Sequence, residues 1–307
     1  MIKSIKNTSI YKDLISGNKN FHAYLFYSFD KELNNNIALA FAKSLICKDK
    51  YGCDICPACQ QFNSNSHPDV YILNQASIKV EDVNKLMDKL NTKPISADMK
   101  VFVILNAENI NEISQNKLLK SLEEPNSQNV FILSSSKTDK LLPTIMSRLN
   151  KVYVPKLTNA DKHIISKELS EQNVDILKYE NADFTLTEII NFETNEEYKN
   201  TLKNIDFLFS NLKTTQDIPS VVNKLNNINK ELFLPLLQDL FLSCLNDEKK
   251  FDKPLTMLID VTFSKKALRK CIPLINEAYK KQMSNVNFGY ILDNLLFNIL
   301  KEKFLCK

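Results

Sequence analysis

The sequence predicts an α/β domain with a mainly parallel sheet, followed by a second half made of helices. Three observations carry this reading. Short apolar runs alternate with helical periods as far as about residue 155, the pattern of strands covered on both faces by helices. From about residue 201 the chain turns to long helical periods with no strand-like runs. Four of the seven cysteines crowd into positions 47–59, just after the first strand–helix pair.

Composition sets the bounds. With 307 residues, 44% hydrophobic and 25% charged, the chain suits two or three soluble globular domains. No run approaches the ~20 apolar residues of a membrane span, and the start lacks a signal-peptide core, so a cytoplasmic protein is expected. The net charge of +4 permits a nucleic-acid surface without arguing for one. Of the 40 basic residues only Arg148 and Arg269 are arginines, so those positions raise the question of what guanidinium alone can do.

The first strand-like run is "AYLFYS" (23–28), and an amphipathic helix is expected from about Asn35. Strand, polar loop and helix are the layout of a phosphate site, whose loop would read G-x-x-x-x-G-K-[ST] so that bare amides can cradle the anion. Here it reads Ser28-Phe29-Asp30-Lys31-Glu32-Leu33-Asn34-Asn35-Asn36. It holds no glycine and its lysine is misplaced. Asp30 and Glu32 put two carboxylates where phosphate would lie. The three glycines of the chain, Gly17, Gly52 and Gly289, all fall elsewhere.

"CKDKYGCDICPACQ" then spaces Cys47, Cys53, Cys56 and Cys59 as C-x5-C-x2-C-x2-C. Thiolates in C-x2-C pairs on tight turns converge on one tetrahedral ion, and Gly52 and Pro57 supply turn chemistry. Structural Zn²⁺ is the leading reading, with an oxidation-prone quartet or an iron–sulfur site as alternatives. Four thiolates leave no open coordination position, so the zinc is structural and His67, in "SHPDV", reads as a loop residue. Cys244, Cys271 and Cys306 read as small apolar side chains.

Further strand-like runs are "DVYILN" (69–74), "KVFVILN" (100–106), "NVFILSSS" (129–136) and "KVYVP" (151–155). Between them, "VEDVNKLMDKL" sets Val80, Val83, Leu86, Met87 and Leu90 on one helix face. "ISQNKLLKSLEEP" does the same with Ile113, Leu118, Leu119 and Leu122 before Pro125. The strand at 100–106 is where a P-loop ATPase would end in Asp-Glu to hold Mg²⁺ and orient water. It ends here in Leu105-Asn106, and Glu108, two residues on, is expected to point elsewhere. With loop and acidic pair both lost, no ATP hydrolysis is expected. Residues 157–200 read as short polar helices.

Several of these stretches resemble one family. "HAYLF", the cysteine module, "SIKVEDVNKL", "KVFVILNAENINEISQNKLLKSLEEPNSQNVFILSSSKTDKLLPTIMSRL" and "NVNFGYILDNLLFNIL" are similar to the clamp-loader subunits of bacterial DNA polymerase III, its delta-prime branch above all. The likeness is dense from His22 to Pro155, thin over 157–280 and recoverable near the C-terminus. It implies an AAA+ ATPase-like domain at 1–156 with a zinc module at 47–59, a helical lid at 157–200 and a helical collar at 201–307. It further implies a pentameric ring that loads the sliding clamp on primed DNA, with gamma/tau ATPase subunits and a delta subunit as partners. The delta-prime branch is described as rigid and non-hydrolysing, so structural Zn²⁺ but no bound ATP is expected here. By the same resemblance, Ser147-Arg148 is the motif that sends an arginine finger into a neighbour's nucleotide site. The chain departs from the family in a first cysteine spacing shorter than the usual eight and in Leu149, where the family has cysteine after Ser-Arg.

Other readings are a degenerate gamma/tau-like subunit and a stand-alone zinc-containing nucleic-acid-binding protein, although the cysteine module carries few basic side chains. A zinc hydrolase lacks H-E-x-x-H, and four crowded cysteines argue against a C-x2-C oxidoreductase. For Arg148 the alternative is a surface ion pair at a helix end. Arg269 reads as a solvated helix face or a collar contact.

Overall fold

The computed structural model describes residues 1–17, 21–90, 92–123, 128–179, 184–225, 228–246, 253–284 and 286–306. These divide into two compact units, residues 1–178 with 185–189, and residues 179–184 with 190–307.

The first unit is built on five strands: β1 (Ala23–Tyr27), β2 (Val70–Leu73), β3 (Lys100–Ile104), β4 (Asn129–Ser135) and β5 (Asn150–Tyr153). They lie in the order β2-β3-β4-β1-β5, and every pairing is parallel. All five expected strands are present, each within two residues of the expected ends. Burial explains why they were legible. β3 and β4 are buried along their whole length, whereas the edge strand β2 is only half-buried. In register, Leu25 pairs Leu133 and Phe102 pairs Phe131, so large apolar side chains stack in rows across the sheet.

Helices of this unit are α1 (Ser9–Ser16), α2 (Lys31–Ile46), α3 (Pro57–Asn63), α4 (Val80–Asp88), α5 (Glu112–Glu123), α6 (Pro143–Met146) and α7 (Asn159–Ser170). On one face of the sheet Phe41 of α2 packs edge-on against Tyr24, at 4.8 Å, and beside Phe26, at 5.3 Å. On the other, Val83 and Leu86 of α4 and Leu118 and Leu122 of α5 cover Phe102, Phe131 and Leu133. Pro125, expected to end α5, lies outside the described residues. Residues 157–178, read from the sequence as the start of a lid, fall inside this unit. Two carboxylates of α7 secure them. Asp161 accepts from Ser9 N (2.7 Å) and Ser9 Oγ (2.9 Å), and Glu168 accepts from Lys3 N, Ser4 N and Ser4 Oγ, each at 2.7 Å. The helix α8 (Leu186–Thr194) starts in the first unit and its later residues belong to the second.

The second unit is helical: α9 (Glu196–Asn211), α10 (Ile218–Leu225), α11 (Lys230–Leu245), α12 (Lys253–Thr262), α13 (Lys265–Met283) and α14 (Phe288–Leu305). Its core joins Ile205, Leu237, Phe241, Ile275, Leu292 and Ile299, one or more from most of these helices. Cys244, Cys271 and Cys306 are all buried, as small apolar side chains should be. Burial pushes the Cys271 thiol up to about 12. Among the described residues no helix is long and apolar enough to cross a membrane.

Candidate functional site

In a parallel sheet of this kind ligands bind outside the carboxyl ends of the strands. The residues that follow β1, β3 and β4 therefore define the place to look. After β1 the chain turns through Ser28–Asp30, and α2 begins at Lys31, four residues earlier than expected. Asp30 is thus the N-cap of α2 and not a free loop carboxylate. Its side chain is 4% exposed. Oδ1 accepts from Leu33 N at 3.1 Å, Thr187 N at 3.1 Å and Thr187 Oγ1 at 2.8 Å, and Oδ2 accepts from Leu186 N at 2.6 Å. Burial pushes the carboxyl above its ordinary pKa, and these donors, chiefly the Leu33 amide and Thr187, work against that push. All four partners donate, which matches an ionised carboxylate. The sequence puts the carboxylates of both Asp30 and Glu32 where phosphate would lie; the structure shows Asp30 capping the start of α2, while the Glu32 backbone amide donates to Thr187 Oγ1 at 2.8 Å. Thr187 was not legible as a site residue, because it lies 157 positions from Asp30 and matches no local motif.

Neutral amides fill the ground where a metal-holding acidic pair would stand. Asn106 follows β3 with a φ of 54°, a left-handed conformation that asparagine tolerates. Ser134 Oγ donates to Asn35 Oδ1 (2.6 Å), Asn35 Nδ2 to Asn106 Oδ1 (3.1 Å), and Asn106 Nδ2 to Asn74 Oδ1 (3.1 Å). Leu105 is buried at 2% exposure. Glu108 turns to β4's end, where its Oε1 accepts from Ser136 Oγ at 2.8 Å. The chain of amides offers no formal charge to offset a divalent cation.

The four cysteines come together. Their sulfurs all lie within 4.8 Å of one another, and Cys53 Sγ is 3.9 Å from Cys59 Sγ. A zinc–sulfur length of about 2.3 Å in a tetrahedron gives edges of about 3.8 Å, so the donor set fits a tetrahedral thiolate site. Backbone amides already point at sulfur, Cys53 N at Cys47 Sγ (3.3 Å) and Cys56 N at Cys53 Sγ (3.4 Å). Burial alone would raise the Cys47 thiol, but hydrogen bonds led by the Cys53 and Asp49 amides outweigh it and hold it below the ordinary thiol value. Positive φ at Gly52 (79°), a conformation that favours glycine, turns the loop. Lys43, 1% exposed, pairs with Asp54, which also takes Lys6 at 2.6 Å, so the loop is tied to α2 and the N-terminal segment. His67 is outside the cluster, and its Nδ1 accepts from the Asp69 amide at 3.2 Å.

Arg148 stands just past the one-turn helix α6, with Ser147 as C-cap. Its Nη1 donates to Thr144 O (2.7 Å) and Ser147 Oγ (3.3 Å), and Nη2 pairs with Glu123 Oε1 at 2.5 Å. The side chain is 32% exposed and Glu123 47% exposed. Leu149 is buried at 6%, so the residue that replaces the family's cysteine packs into the core and leaves the guanidinium outside it. Arg269 is exposed on α13. Geometry thus assembles Cys47, Cys53, Cys56 and Cys59 and leaves Ser147 and Arg148 as a separate surface feature.

Comparison with known proteins sorts these features. The sequence profile of the family described as DNA polymerase III, delta subunit, matches residues 5–158. DNA polymerase III subunit delta' of Bacillus subtilis is 28% identical over 196 residues, 62% of this chain and 57% of that one. The delta' subunit of Yersinia pestis is 32% identical over 148 residues, 45% of this chain and 44% of that one. Subunit tau/gamma of Haemophilus influenzae is 33% identical over 174 residues, 55% of this chain and 24% of that one. The matches thus span about half the length of the delta' relatives. A solved gamma subunit-related protein of Thermotoga maritima aligns over 95% of this chain and 98% of its own, at 15% identity and a TM-score of 0.47. The matched residues 5–158, just over half of the chain, carry the sheet, the cysteine cluster and Ser147-Arg148, and the chain belongs to the delta-prime family of DNA polymerase III clamp-loader subunits.

Proposed function

We propose that this chain is a clamp-loader subunit that neither binds nor hydrolyses ATP, helps assemble the ring that loads the sliding clamp on primed DNA, and lends Arg148 to a neighbour's nucleotide site. The observation that carries the reading is the β1–α2 corner, where Asp30 takes the donors a phosphate would need. Neutral amides at the end of β3 replace the Mg²⁺-binding pair. The partners are the gamma/tau ATPase subunits and a delta subunit. Residues 1–156 serve as the ATPase-like part, 157–200 as the lid and 201–307 as the collar. Cys47, Cys53, Cys56 and Cys59 hold one structural Zn²⁺, which supplies cross-linking of the 47–59 loop and no catalysis, since four thiolates complete its coordination. Arg148 suits a finger because its planar, permanently charged fork pairs bidentately with phosphate oxygens.

The test is reconstitution. The chain is mixed with gamma/tau and delta subunits, and gel filtration and clamp loading on primed DNA are measured with and without it. A stable hetero-oligomer whose loading depends on this chain is expected; no association with the ATPase subunit sinks the proposal. The match to tau/gamma relatives favours one second reading, a degenerate gamma/tau-like subunit. Calorimetric titration with ATP separates the two, since only that reading expects binding.

A further inference from the structure

Asp30 lies where two helices begin. A helix leaves its first four amides without intrahelical partners and carries partial positive charge at that end. From α2, Leu33 N donates to Asp30 Oδ1 (3.1 Å) and Glu32 N donates to Thr187 Oγ1 (2.8 Å). From α8, Leu186 N and Thr187 N both reach the same carboxylate, at 2.6 and 3.1 Å. The Thr187 hydroxyl closes the circuit by donating to Oδ1 at 2.8 Å. The start of α8 is itself preformed: Thr185 N donates to Glu188 Oε2 (2.7 Å), and Glu188 N to Thr185 Oγ1 (3.1 Å). Two positive helix ends that face one another in a place almost closed to water repel unless an anion lies between them. Here a side chain of the chain itself supplies that anion.

We propose that Asp30 is a built-in anionic ligand that fastens the segment 185–189 to the start of α2 permanently, so that this segment holds its place without nucleotide and does not answer to ATP. The proposal rests on the reading that this chain keeps no nucleotide of its own and is independent of any role for Arg148. Thr187 is the second member of the latch, since its hydroxyl accepts from one helix and donates to the carboxylate that caps both.

Hydrogen–deuterium exchange of the full chain tests it, with β4 (Asn129–Ser135) as internal reference. Asp30→Ala strands four donors, and exchange at 185–189 is expected to quicken about 10-fold or more while β4 is unchanged. Sodium formate, a free carboxylate, is expected to restore protection in Asp30→Ala, whereas sodium chloride at equal ionic strength is not. Wild-type exchange at 185–189 in Asp30→Ala overturns the latch, as does acceleration that formate leaves untouched. If Asp30→Ala does not fold, Thr187→Val keeps the carboxylate and removes the hydroxyl bridge. Faster exchange confined to the same segment then supports the latch, and unchanged exchange overturns it. Failure of the underlying reading looks different: ATP binding by the wild-type chain in calorimetry removes that reading and leaves the exchange comparison standing.

Discussion

Arg148 is held in the isolated chain by partners that can let it go. Its ion pair with Glu123 is half-exposed, and pairs of that kind contribute about 0–1 kcal/mol. On the proposed reading a neighbour's phosphate oxygen competes well against so weak a hold; in the chain itself Thr144 O and Ser147 Oγ keep the guanidinium at the surface. Arg148→Ala should therefore change the stability of the subunit by no more than about 0.5 kcal/mol, measured by denaturant unfolding. In the reconstituted complex it should lower ATP hydrolysis at the adjoining site and clamp loading with it. Arginine fingers are worth on the order of 10³-fold or more where they dominate the transition state, and a smaller loss is expected in a ring whose other sites have their own neighbours. Arg148→Lys should be nearly as damaging, because lysine lacks the fork. Arg269→Ala, on an exposed helix face, serves as control. Unaltered hydrolysis and loading by the Arg148→Ala complex would reduce Arg148 to a surface ion-pair residue.

Among the elements, the 47–59 loop and α7 make separate predictions. The loop should carry about one zinc per chain by elemental analysis, and Cys56→Ser should lower both metal content and stability, because metal binding and local folding are one equilibrium. Metal-free protein isolated without chelators or oxidation would refute the site. In α7, burial works to raise Asp161 and Glu168, but hydrogen bonds from Thr158 and Ser9, and from Ser4 and Lys3, outweigh it and depress both. Depressed carboxylates stabilise the fold above their unfolded values, about 3.9 for Asp and 4.3 for Glu, and lose that contribution as pH falls through the folded ones. Acid titration should therefore release residues 1–9 and α7 below about pH 4; Asp161→Asn should flatten that loss, and an unchanged acid limb would show that these bonds carry no pH dependence. The same elements show what sequence can and cannot disclose. β1, β3 and β4 were legible because burial on both faces makes a strand apolar throughout. The cap that starts α2, Asp30 to Leu33 N, is local and was open to reading, but its further partner Thr187 was not, and the attachment of α7 was missed because its partners are Lys3, Ser4 and Ser9. Local pattern records burial well and partners more than a hundred residues away not at all.

At the scale of the whole molecule, the first unit is a parallel five-stranded sheet whose β1–α2 corner is closed by the buried Asp30 carboxylate. Titrated with ATP and Mg²⁺ in a calorimeter, the purified chain should give no binding heat; micromolar affinity that vanishes on changing Lys31 would overturn that expectation. The cysteine cluster was fully legible, since C-x2-C pairs on tight turns determine their own geometry. The contacts of Asp30 with Leu186 and Thr187 were not, because those residues lie more than 150 positions away.

The shared cap at Asp30 also bears on ancestry and on redesign. On the proposed reading, installing a glycine-rich loop and an acidic pair is not enough to build a nucleotide site here, because the carboxylate must also leave. Its departure alone strands donors from two helices, and a phosphate loop that arrives first meets a buried negative charge. Every one-step path back therefore begins with a less stable protein. On the same reading the cap acts as a ratchet, and a designer who wants an active site from this scaffold has to replace Asp30, the loop and the residues around Thr187 in a single move.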